Sequence, residues 1–108
     1  MAGFPLHAGF GLDIVPFRSG VRTIATENGE SAACCIVNGT PLKAFLASET
    51  DTLMTGRLSF ARLGDDVQVL LKGSEIGSLP LACFREAVED ALREAKEAAF
   101  RNRFLIQD

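Results

Sequence analysis

A chain of 108 residues, 47% apolar and 23% charged, holds enough hydrophobic material for one self-sufficient domain and too little length for two. The composition is far from that of a disordered chain, and a net charge of −3 gives neither nucleic acid nor an anionic lipid surface an electrostatic reason to bind. No apolar run approaches the ~20 residues of a membrane helix, and three cysteines cannot all pair within one chain, so reduced thiols in a cytoplasm are expected.

The chain opens with MAGFPLHAGFGLDIVPFR. Its apolar residues, Phe4, Leu6, Phe10, Leu12, Ile14, Val15 and Phe17, recur at spacings that suit neither a helix nor a strand. Gly3, Pro5, Gly9 and Gly11 interrupt it and no positive charge precedes it, so it is not expected to be a secretory signal. Residues 1–18 therefore read as an apolar arm, lying on the domain edge or reaching a partner. GLDIVPF can form a short strand that Pro16 confines to an edge. Phe4, Phe10 and Phe17 become candidate contact residues, and His7 a solvated side chain in a glycine-rich stretch.

Residues 19–77 follow strand grammar. VRTIAT is rich in β-branched residues, and Asn28-Gly29 is a strong hairpin signal. SAACCIV leads to a second such pair, Asn38-Gly39. The two pairs predict a three-stranded meander whose last strand opens at Pro41, although PLKAFLAS also permits a short helix. RLSFARL alternates, with Leu58 and Phe60 on one face. Gly64-Asp65-Asp66 turns the chain, and VQVLLK returns with Val67, Val69 and Leu71 on one face. KGSEIGS reads as a further turn.

The last element is a helix over residues 78–104. Leu81, Phe84, Val88, Ala91, Leu92, Ala95 and Ala99 recur at helical spacing. Ser78 suits the N-cap and Pro80 the first turn. Glu89 and Arg93 stand four apart in the favourable order. Such a helix is about 37 Å long at 1.5 Å per residue, longer than a six-residue strand of about 20 Å. An overhang with the apolar tip Phe104, Leu105 and Ile106 argues for a second subunit or for a fold-back over the sheet edge.

The nearest thing to chemistry is Cys34-Cys35. Adjacent strand side chains point to opposite faces, so the pair cannot share one metal ion as a C-x-x-C turn does. Two small residues in a half-buried strand is the reading. Cys83, in the first turn of the helix, is where a thiol is most readily activated, but a nucleophile needs a base, and His7 is the only histidine. Asp65-Asp66 has the context of a turn. KGSEIG lacks the order of a phosphate loop, and no G-x-S-x-G, H-E-x-x-H or G-x-G-x-x-G occurs. Arg18, Arg22, Arg57 and Arg62 read as a solvated face.

The expected fold is α+β: an antiparallel sheet of four to five strands with one long C-terminal helix packed on one face. The expected function is a small non-enzymatic binding or regulatory module, of inhibitor, immunity or adaptor type, as in bacteria or phage. It would act through a protein partner or as a homodimer, with no cofactor and no metal. Its contact residues are Phe4, Phe10, Phe17, Phe104, Leu105 and Ile106. Two alternatives stand beside it: a thiol-dependent enzyme or redox sensor using Cys83 or Cys35, and a small-ligand binder with a Phe-lined pocket between sheet and helix.

Overall fold

Asn28 and Gly29 both adopt positive φ, 52° and 87°, the signature of a two-residue type I′ turn. Around it, in a computed structural model that describes residues 2–18 and 20–106, with side chains over 3–18 and 20–98, the chain forms a four-stranded meander. β1 (Ala2–Pro5) leads through a single 3₁₀ turn at His7–Gly9 to β2 (Phe10–Phe17), β3 (Gly20–Glu27) and β4 (Glu30–Asn38). All neighbours are antiparallel, in the order β1-β2-β3-β4.

The predicted N-terminal arm is therefore two strands of the first sheet. Pro16 sits in an inner strand, but the described pairing of β2 with β1 extends only as far as Ile14, opposite Ala2. Beyond that point, among the described residues, β2 has no neighbour on its outer side, where a missing N–H costs no ladder bond.

The second Asn-Gly pair does not make a hairpin. Asn38 stays extended, at φ −70° and ψ 154°, and serves as the N-cap position of α1 (Gly39–Leu46). Pro41 then falls in the first turn of α1, where it forfeits no helical bond. Leu42 and Phe45 carry α1 into the core.

A second antiparallel sheet follows, in the order β5-β6-β7-β8. Its strands are β5 (Thr52–Met54), β6 (Leu58–Leu63), β7 (Asp66–Leu71) and β8 (Ser74–Pro80). Gly64, with φ 63° at the first central position between the paired Leu63 and Asp66, turns β6 into β7 in the II′ manner. Lys72-Gly73, at φ 53° and 84°, turns β7 into β8. KGSEIGS is thus the last hairpin and most of a strand. Leu58, Phe60, Val67 and Val69 are fully buried on one face, as their alternation predicts.

α2 (Leu81–Ile106) begins directly after β8. Ser78 lies in β8 opposite Gln68 and caps nothing; instead Leu81 N–H donates to the carbonyl of Asp65 at 2.7 Å. α2 lies across β2 and β3 and buries Phe84, Ala87, Val88, Ala91 and Ala95. Arg93 pairs with Asp90 at 3.0 Å and not with Glu89. At 26 residues, or about 39 Å, α2 outruns the eight-residue strands beneath it, about 26 Å long.

Both sheets and both helices feed one core cluster. Phe84 meets Phe45 edge-on at 5.9 Å and Phe60 at 5.4 Å between centroids. The fold is α+β, with a long C-terminal helix packed on antiparallel sheet. The strands divide into two sheets because α1 interrupts the chain after β4.

Candidate interaction surface

Alternation decides what each sheet shows to solvent. In the first sheet Leu12, Ile14, Val21, Thr23, Ala25, Ala33, Cys35 and Val37 face the core. The registers Asp13↔Ile24↔Cys34 and Val15↔Arg22↔Ile36 place the other set on the outward face, with Phe17 at its end. Ile36 is 51% exposed, Cys34 is exposed, and Val15, Phe17 and Ile24 are half-buried. Val15, Ile24, Cys34 and Ile36 thus make a diagonal apolar row across β2, β3 and β4 on the side away from α2, with the charged Asp13 and Arg22 standing in the same two registers.

A cationic corner adjoins this row. The guanidinium carbons of Arg22 and Arg18 stand 4.6 Å and 5.4 Å from the Phe17 ring centroid. Such stacking holds a guanidinium in place and leaves its outer N–H groups available. Arg22 Nε is buried without a hydrogen-bond partner.

The six candidate contact residues fare differently. Phe4 and Phe10 pack against the core; Phe4 pairs across to the buried Leu12. Phe17 lies on the outward face. Phe104, Leu105 and Ile106 fall outside the residues whose side chains are described. The outward face also carries Ile36, Ile24, Val15 and Arg22, which were not singled out as contact residues from the sequence. Their signal was present in SAACCIV, where alternation must send Ile36 the same way as Cys34.

The thiols divide as strand geometry requires. Cys34 is exposed and Cys35 buried; Cys83 is exposed at the start of α2. Among the described residues, no three His, Cys, Asp or Glu side chains come together in a metal-binding group, so His7, Cys34, Cys35 and Cys83 are not gathered at one point. Asp65 and Asp66 sit at the β6–β7 turn.

Phe45, Phe60 and Phe84 are each fully buried in the core between sheets and helix. Depressions occur elsewhere and are open to solvent. One, about 520 Å³, runs between α1 and α2 and is lined by Lys43, Leu46, Ala47, Arg85, Glu89 and Leu92. Another, about 440 Å³, lies beside the Asn28-Gly29 turn. Among the described residues no helix is long and apolar enough to cross a membrane.

Comparison with protein-family models, with curated proteins and with solved structures gave no match for this chain.

Proposed function

We propose that the protein is a small non-enzymatic binding module of regulator, inhibitor, immunity or adaptor type, working in a reducing compartment through protein–protein contact. One observation carries the reading: the outward face of the first sheet, where the half-exposed Ile36 continues the apolar row of Val15, Ile24 and Cys34 beside a guanidinium pair on Phe17. Apolar residues with arginine at the rim have the composition of a protein contact surface. The three free cysteines fit a cytoplasm.

A photo-crosslinking residue at position 36 tests this. Irradiation in cells should give a discrete protein adduct that excess unlabelled chain competes away. The same residue at the exposed Lys72 turn should give none. Equal yields at the two positions would end the reading. The thiol alternative retains exposed Cys34 and Cys83.

A further inference from the structure

A sheet edge offers unpaired N–H and C=O groups to any strand that can approach, and natural proteins blunt such edges by shortness, charge, proline or bulges. The four edges of this molecule are not treated alike. β1 has four residues and ends on Pro5. β5 has three. β8 is broken by a register shift opposite Val69 and Leu70, with Gly77 at φ 151°, and ends on Pro80. β4 has nine residues and one shift, opposite Ala25 and Thr26, which leaves Ala32 as the extra residue. From Ala33 to Asn38 it is regular and holds no charge, proline or glycine.

The geometry of β4 fixes how it could pair. In an antiparallel ladder a residue bonded to one neighbour alternates with a residue whose backbone points the other way. The carbonyl of Cys35 faces β3, since Thr23 Oγ1 also donates to it at 3.2 Å. Cys34 and Ile36 therefore direct their N–H and C=O groups to the free edge, and among the described residues β4 is laddered to β3 alone.

We propose that this edge pairs with the same edge of a second copy, antiparallel about Cys35, joining the two first sheets into one. The proposal rests on the protein-contact reading and names its first partner. Two features favour a second copy. A register centred on Cys35 sets Cys34 against Ile36 of the second copy in both directions, so the outward-pointing backbone groups satisfy one another. The same register keeps core-facing residues on one side, with Ala33 beside Val37 of the other copy; a one-residue slip would break this match.

Light scattering on a gel-filtration column tests the proposal. The mass should move with concentration from 11.6 kDa towards twice that value. Ile36→Pro removes an edge N–H that β3 does not use, and Ile36→Lys adds the charge that guards natural edges; both should hold the mass at the monomer value. Met54→Lys, at an exposed site on β5, should leave the dimer unchanged. Under mild oxidation Ile36→Cys should give an inter-chain disulfide with Cys34, because directly opposed strand residues lie within disulfide reach; this readout does not depend on how well the proline variant folds. A mass fixed at 11.6 kDa up to the solubility limit, or a dimer that ignores the Ile36 variants and gives no inter-chain disulfide, overturns the pairing. In either case the photo-crosslinking result decides the contact reading separately.

Discussion

Arg62 of β6 donates through Nη2 to the carbonyl of Phe45 in α1, and its guanidinium carbon lies 5.2 Å from the centroid of the ring of that same residue. One side chain thus ties the second sheet to the helix that separates the sheets. A hydrogen bond from a charged donor contributes about 1.5–3 kcal/mol, and a partly desolvated cation–π contact about 0.5–2 kcal/mol. A lysine keeps the charge and loses the planar fork and the stack. Arg62→Lys should cost about 2 kcal/mol in urea unfolding with an unchanged m-value. An unchanged midpoint would show that the link is incidental.

Phe84 is the point where α2, α1 and β6 meet. Large-to-small substitution of a fully buried ring costs about 3–5 kcal/mol. That is a large part of the roughly 5–15 kcal/mol that holds a domain folded. Phe84→Ala should therefore leave the protein unfolded or nearly so at 37 °C, while Phe84→Leu should retain a cooperative transition at lower denaturant. Near-native stability in the alanine variant would contradict a shared aromatic core.

Gly20 opens β3 beneath the end of β4. A Cβ there would run into the carbonyl oxygen of Val37, which is backbone and cannot swing aside. Gly20→Ala should cost about 3 kcal/mol, the upper part of the range for overpacking. It should also loosen the C-terminal end of β4, visible as faster amide exchange over residues 35–38. Wild-type exchange would show that the two strands separate there without cost.

The thiols give a kinetic prediction. With a small aromatic disulfide reagent, Cys34 and Cys83 should react at once in native protein, and Cys35 only as the chain unfolds. A native burst at one thiol far faster than free cysteine at pH 7 would revive the thiol-enzyme alternative. Fast labelling of all three would show that β4 is not held as described.

Much of this fold was legible locally. Asn28-Gly29 and Gly64 announced their hairpins because positive φ is cheap for those residues. Leu58 with Phe60, and Phe84 with Val88 and Ala91, declared their faces by period. The N-terminal strands were hidden because both faces of β2 are apolar: Leu12 and Ile14 point inward while Val15 and Phe17 point outward, which erases the alternation. Asn38-Gly39 was ambiguous because asparagine suits both a hairpin turn and an extended N-cap, and the choice was made by Leu42 and Phe45 finding the core. The division into two sheets follows from that same choice: every strand pairs with its neighbour in the chain, and α1 breaks the meander after β4, where a third hairpin strand was expected. Of the proposed contact surface, Phe17 was named from the sequence, whereas Ile36 was passed over beside the more conspicuous cysteines.

Amide hydrogen exchange of β4, followed as protein concentration is raised, tests the central claim most directly. The account predicts that Cys34 and Ile36 amides, which point to the free edge, exchange readily in dilute protein and slow together as concentration rises, while β1 does not change. Exchange at Cys34 and Ile36 that is equally fast at every concentration would contradict it.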